Sequence, residues 1–277
     1  RTAYLKANFP AEFIAANLTN EINSADKLPE YINEGRSMGL EIDAPDINRS
    51  DKYFDVVDGK IVFGLMGIKG LGESAAEAIV NERIKNGPYK SFMDFLDRVN
   101  SFDVNKKAIE VLIKTGAFDK LNESRSTLMA NMELAISYTE KKKESTQFGQ
   151  VSLFEDSGEK EFNDFVFQEM PEMPFLEKLN MEKELIGCYI SGHPLDEYSQ
   201  IIKNSANISS NTLNRASPDK QYTIVGMIKS LRPYITKSNK QMAFGVLEDL
   251  NGEIDLTFFP KTWEKLSVTG KVREDAI

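Results

Sequence analysis

The residues with the most to offer chemically lie in "FGLMGIKGLGESAAEAIV", from Phe63 to Val80. Gly67, Gly70 and Gly72 crowd a short turn between apolar neighbours, and an alanine-rich helix follows at once. Glycine tolerates positive φ and lets a backbone come close to a ligand. A helix N-terminus behind it offers unpaired N–H groups and a partial positive charge. Together these predict a phosphate seat, with Lys69 as a neighbouring cation and Ser74 in the first helical turn. Three owners of that phosphate can be compared. The dinucleotide fingerprint reads G-x-G-x-x-G, whereas the order here is G-x-x-G-x-G. A Walker-type loop ends in G-K-[ST], whereas Gly72 is followed by Glu73 and Ser74, and the glutamate would meet a mononucleotide's densest charge. The third owner is a nucleic-acid backbone held by loop amides. A ligand-free tight connection between packed helices accounts for the same glycines.

Other reactive residues are scarce. The single histidine, His193 in "SGHPLDEY", has no Cys or His partner and reads as a turn residue ahead of a helix, so no metal site is expected. The single cysteine, Cys188, excludes an internal disulfide and suits a reducing compartment. Its expected place is that of a small buried hydrophobe. Asp94 and Asp97 form a tempting acidic pair, but their i, i+3 spacing in "SFMDFLDRV" reads as a solvated helix face. A length of 277 residues fits roughly two domains, and 41% apolar residues suffice for a core. The formal charge of −9 has the wrong sign for indiscriminate DNA binding, so any nucleic-acid contact must be local. No apolar run is long enough to span a membrane and no signal peptide opens the chain, so a cytoplasmic protein is expected. The first residue, Arg1, suggests a piece of something longer.

The elements that must position the turn are helical. Pro10 suits a first helical position, with Phe13, Ile14, Asn17 and Leu18 behind it. Tyr31, Ile32 and Met38 mark a second helix, with Gly39 as its stop. Asp43 to Asp51 reads as a polar crossing, and the helix after the glycine turn ends near "NGPYK". "VNKKAIEVLIKTG" places Ala108, Ile109, Leu112 and Ile113 on one face, and "SRSTLMANMELAISY" follows it. No alternating strand is expected before this point. Lys141 to Lys160 is polar, and its one strong apolar cluster is Val151, Leu153 and Phe154. Such a segment reads as a surface linker, and its exposed Leu-Phe pair calls for a partner.

The period changes near Tyr222. "YTIVGMIK", "QMAFGVLED" and "GEIDLTFF" are strand-like, and Asn251-Gly252 signals a hairpin. Three short antiparallel strands suggest a small barrel. Its first loop, "SLRPYITKSNKQ", holds Arg232, Lys237 and Lys240 around Tyr234. Cations interleaved with an aromatic suit single-stranded nucleic acid on an oligonucleotide-binding fold, while an ordinary solvated loop explains them equally well.

These parts in this order resemble the bacterial DNA polymerase III alpha subunits, the C-family replicative polymerases. The residues that carry the likeness are "AYLKANFPAEFIAANL" from Ala3, "YINEGRSMGLEI" from Tyr31, "FGLMGIKGLGESAAEAIV" from Phe63, "LIKTGAFD" from Leu112, "GQVSLF" from Gly149, "EKELIGCYISGHPLDEY" from Glu182 and the strands from Tyr222. The resemblance implies a mainly α architecture followed by a partial all-β barrel. Its parts are the end of the fingers (1–50), a tandem helix-hairpin-helix (51–140), a linker with a sliding-clamp motif (141–160), a helical connector (161–215) and an oligonucleotide-binding domain (220–277). It implies duplex contacts at Gly67, Lys69, Gly70, Gly72 and Ser74, with Lys106 and Lys107 as weaker ones. It implies clamp contacts at Gln150, Val151, Ser152, Leu153 and Phe154, and single-strand contacts at Arg232, Tyr234, Lys237 and Lys240. The partners so implied are duplex and single-stranded DNA, the beta sliding clamp and other replicase subunits. Primer extension would use Mg2+ in a palm domain that precedes Arg1, so this piece alone is expected to be inactive and to hold no cofactor. Two departures stand out: "IKTGAFDKL" supplies one glycine where the first hairpin supplies three, and little chain lies between Trp263 and "SVTGKV". A scaffold module that binds a protein through Q-x-x-L-F is the competing reading. A nucleotide-cofactor enzyme is disfavoured by the glycine spacing.

Overall fold

Pro10 occupies the first turn of helix α2 (Pro10–Asn20), where its missing N–H would have had no partner in any case. The computed structural model describes residues 2–24, 27–99, 103–147 and 165–277, which fall into two units, Arg1–Ser191 and Gly192–Ile277. The first unit opens with α1 (Thr2–Asn8), α2 and α3 (Lys27–Ser37). Helical spacing buries Ala11, Ile14, Ala15 and Leu18 on one face of α2 and Leu28 and Ile32 on α3. Gly39, with φ +80, follows α3 as its position predicts.

A small sheet then appears where no strand is expected from sequence. Strands β1 (Ile42–Asp43), β2 (Asp55–Val57) and β3 (Lys60–Val62) lie in the order β1-β3-β2, with β1 parallel and β2 antiparallel to β3. Two or three residues are too few to alternate, so tertiary pairing makes these strands. The expected polar crossing after β1 is folded inward. Asp46 and Ser50 are buried, and the Asp46 amide donates to the Ser50 hydroxyl at 3.0 Å while its carboxylate accepts from the Asn48 amide at 2.8 Å.

The remaining helices of this unit are α4 (Glu73–Asn86), α5 (Phe92–Arg98), α6 (Lys106–Lys114), α7 (Arg125–Gln147) and α8 (Phe175–Ile186). Ser91 caps α5 and Asn105 caps α6, accepting from the amides of Asp94 and Ala108. Between the helices, Phe118 meets Phe92 and Phe95 edge-on at centroid separations of 5.1 and 5.0 Å. Helix α7 overruns the expected start of the linker at Lys141. The Lys143 ammonium donates to the Leu96 and Val99 carbonyls at 2.8 and 3.0 Å, and Lys142 pairs with Asp97 at 2.9 Å. Burial holds Lys143 below the usual lysine pKa. Asp94 and Asp97 are therefore structural anchors rather than a bare solvated face, since Asp94 pairs with Arg98 at 3.1 Å.

Residues 165–174 return along α7, held by side chains that imitate a strand partner. Asn131 both accepts from the Gln168 amide and donates to its carbonyl, at 3.0 and 2.9 Å. Helix α8 then inserts Glu182 beside Arg125, with 0% and 2% of their side chains exposed. Glu182 accepts from Arg125 at 3.0 Å, from the Ser191 hydroxyl at 2.7 Å, and from the Ile190 and Ser191 amides at 3.1 and 3.0 Å.

The second unit carries α9 (Ser199–Ser205), an open antiparallel sheet of β4 (Met227–Ile235), β5 (Gln241–Glu248) and β6 (Glu253–Phe258), and α10 (Pro260–Ser267). The chain is thus helical with a small β region at its end, and no barrel closes among the described residues, because β6 pairs only with β5. The expected hairpin at Asn251-Gly252 is present, but neither residue has positive φ. Asp249 shapes the turn instead, accepting from the amides of Asn251, Gly252 and Ser210 at 2.8, 2.9 and 2.7 Å. Burial opposes ionisation of Asp249, but these bonds and the Ser210 hydroxyl outweigh it and hold the carboxyl below its ordinary range. His193 is the turn residue its context predicts, its amide donating to Asp196 and its Nδ1 accepting from Leu195.

Candidate nucleic-acid interface

The glycine turn lies between a short 3-10 turn (Leu65–Gly67) and α4. Its glycines serve different ends. Gly67 is buried, and a Cβ there would stand 2.7 Å from the Phe63 ring. It is a packing glycine and cannot touch a ligand, which corrects its place among the expected duplex contacts. Gly64, not singled out by sequence, has a similar cause: its Cβ would meet the Tyr53 backbone at 2.5 Å. Gly70 is exposed with φ +89, the conformation that carries the chain from the turn into the helix approach. Gly72 is exposed and extended at φ −79, and a Cβ there would meet nothing within 4 Å. Its bareness leaves the start of α4 uncovered.

Among the described residues, the amides of Gly70, Gly72, Glu73, Ser74 and Ala75 have no hydrogen-bond partner, as a helix start predicts. The Lys69 amide, by contrast, is fixed to the Leu185 carbonyl at 2.8 Å, which anchors the turn and leaves the Lys69 side chain exposed. Lys107 arrives from α6: its Cε lies 3.6 Å from where a Gly70 Cβ would stand. Neither Lys69 nor Lys107 has an ion pair among the described residues. The structure therefore brings Lys69, Gly70, Gly72, Ser74 and Lys107 together on one exposed corner. Lys106 is not part of it, since its ammonium pairs with Glu133 on α7.

The second hairpin is filled by its own protein. Gly116 has φ +79, and the Arg125 guanidinium occupies the space above it. That guanidinium also donates to the Lys114 carbonyl at 3.1 Å and to Asp119 at 2.7 Å. A phosphate at this turn would have to displace a buried arginine that is already bonded to Lys114, Asp119 and Glu182.

In the second unit the expected loop is partly strand: Arg232 and Tyr234 lie on β4, and the connection to β5 is a tight turn between Thr236 and Lys240. Asn239 takes φ +57 in that turn, and Lys237 and Lys240 are exposed beside it. The register sets Arg232 opposite Phe244, and the Tyr234 and Phe244 rings lie 6.0 Å apart. Tyr234 is 53% and Phe244 46% exposed, so this face carries two open rings and a cation. Phe244 was not picked out by sequence, because it is brought to Arg232 by strand register. Gln150, Val151, Ser152, Leu153 and Phe154 lie outside the described residues. Among the described residues no three His, Cys, Asp or Glu side chains converge as metal ligands, and no helix is long and apolar enough to cross a membrane.

A helix entered through an open glycine turn, with α6 beside Gly70, describes a helix-hairpin-helix region within the first unit. The family model described as "Helix-hairpin-helix motif" matches residues 39–128. Named relatives extend the match to nearly the whole chain. The DNA polymerase III subunit alpha of Treponema pallidum is 49% identical over 265 residues, which is 96% of this chain and 23% of that protein. That of Borreliella burgdorferi is 43% identical over 271 residues, again 96% and 23%, and that of Thermus aquaticus 36% over 279 residues, 99% and 22%. The chain belongs to the DNA polymerase III alpha family and spans under a quarter of the length of these relatives.

Proposed function

We propose that this chain is the DNA-positioning and tethering portion of a cytoplasmic replicative polymerase, which as a whole extends primers from deoxynucleoside triphosphates with Mg2+ in its palm. The observation that carries the reading is the exposed corner of Gly70 and Gly72, where unpartnered amides at the start of α4 lie beside Lys69 and Lys107. Amides and ammonium groups hold phosphate oxygens without reading bases, as an enzyme that copies any sequence requires. Gln150 to Phe154 would bind the beta sliding clamp, and contacts with other replicase subunits belong to the same reading.

The test is binding of the whole chain to a labelled duplex, followed by anisotropy. Gly72→Val is the cleanest variant, because its φ suits any residue and a Cβ there has nothing within 4 Å, so the added bulk at the start of α4 would hinder a phosphate without crowding the fold. Hydrogen bonds to charged groups contribute about 1.5–3 kcal/mol, so the expected loss is about tenfold or more with helical content unchanged. Lys69→Ala with Lys107→Ala should reduce the salt slope by about two, one for each phosphate contact. Unchanged affinity in the Gly72→Val chain would refute the reading.

The exposed face of β4 and β5 would take single-stranded DNA, with bases stacked on Tyr234 and Phe244 and phosphates near Arg232, Lys237 and Lys240. Stacking contributes about 1–3 kcal/mol per base, so Phe244→Ala should weaken single-strand binding about fivefold or more and leave duplex binding unchanged. An equal loss for both ligands would reduce the face to an electrostatic patch.

A further inference from the structure

Glu73 places a carboxylate at the first position of α4, where the phosphate of the proposed complex would come, and the fold answers it. Lys52 Nζ lies 2.6 Å from Glu73 Oε1 and 2.5 Å from Glu77 Oε1. Its stem is packed, with 18% of the side chain exposed, and its ammonium lies 5.1 Å from the Tyr53 ring centroid. The backbone around it is bonded into the base of the hairpin: the Leu65 amide donates to the Asp51 carbonyl at 2.9 Å and the Met66 amide to the Lys52 carbonyl at 3.0 Å. Gly64 permits that approach. Lys52 is thus fixed to the same rigid piece as the glycine turn. Glu73 and then Glu77 raise its pKa above the usual lysine range, so it stays charged wherever the carboxylates are ionised.

We propose that Lys52, Glu73 and Glu77 form an electrostatic regulator of the hairpin's grip on duplex phosphates. Lys52 cancels one of the two carboxylates and leaves a single net negative charge beside the open amides. The remaining charge opposes the phosphate and keeps the hold weak enough to be released at each step along the duplex. Without Lys52, two like charges at i, i+4 would stand uncompensated at a helix start. This inference rests on the DNA-backbone reading of the hairpin.

The test measures duplex affinity of the whole chain at low salt, where surface charge is least screened. The variants are Lys52→Ala, Glu73→Gln with Glu77→Gln, the triple substitution, and Gly72→Val as reference. Affinity should follow local net charge. Lys52→Ala should bind about two- to fivefold more weakly than the parent, and the Glu73/Glu77 pair about two- to fivefold more tightly, with the triple variant between the parent and the pair. Raised salt should draw these values together. A triple variant weaker than the parent would overturn the proposal by making Lys52 a direct contact. Triad variants that all bind like the parent would also overturn it, leaving the ion pairs a packing role. If Gly72→Val also binds like the parent, the hairpin reading itself fails; if Gly72→Val loses binding while the triad variants do not move, the regulator alone fails.

Discussion

Replacing Glu182 with alanine is expected to destabilise the first unit by about 3–5 kcal/mol, the cost of removing one partner from a buried ion pair. The carboxylate is fully buried and accepts four hydrogen bonds, so its loss orphans the amides of Ile190 and Ser191 as well as part of the Arg125 guanidinium. Arg125 in turn fills the turn at Gly116, which ties α8 to the second hairpin. Domains are stable by about 5–15 kcal/mol, so this one change removes a large share. Urea unfolding followed by circular dichroism checks it. A loss below about 1 kcal/mol would mean that water reaches the cavity and that the pair does not hold α8 in place.

Changing Leu153 and Phe154 to alanine is expected to abolish measurable binding to the sliding clamp. Burial of each side chain contributes about 1.5–3 kcal/mol, and a hydrogen bond from Gln150 about 0.5–1.5 kcal/mol. Their sum falls short of the roughly −8 kcal/mol of a micromolar complex, so the parent chain should bind at micromolar affinity or weaker. The two residues carry most of that energy, and their removal should lower affinity at least about a hundredfold. Under that proposal such a tether would still serve a polymerase, because simultaneous contact with DNA raises the effective concentration of the second site. Titration calorimetry with the clamp, before and after the double change, decides it. Equal binding by the double variant would leave Gln150 to Phe154 an ordinary linker segment.

The parts that were legible in sequence are those set by local rules. The buried stripes of α2 and α6 and the stops at Gly39 and Gly116 follow from spacing and glycine chemistry within a few residues, whereas the turn at Asn251-Gly252 is legible in place but takes its shape from Asp249. The misses depend on distant partners. Strands β1 to β3 exist only because they pair with one another, and Gly67 is required by the Phe63 and Phe54 rings rather than by a ligand. The last two turns of α7 look like polar linker until Asp97 and the α5 carbonyls are in place to receive Lys142 and Lys143. At the candidate site, Lys69, Gly70 and Gly72 were readable as a group. Lys107 and Lys106 were indistinguishable neighbours until the fold sent one to Gly70 and the other to Glu133. Phe244 became visible only through its register with Arg232.

The most direct measurement of the central claim is titration of the 15N-labelled chain with a short duplex, followed through its amide resonances. Gly70, Gly72, Glu73 and Ser74 are expected to shift first and most strongly, since these exposed residues carry amides with no partner in the fold. Gly116, closed by Arg125, should hardly move. Shifts centred elsewhere on the chain, with the amides of Gly70 to Ser74 unmoved at saturating duplex, would contradict it.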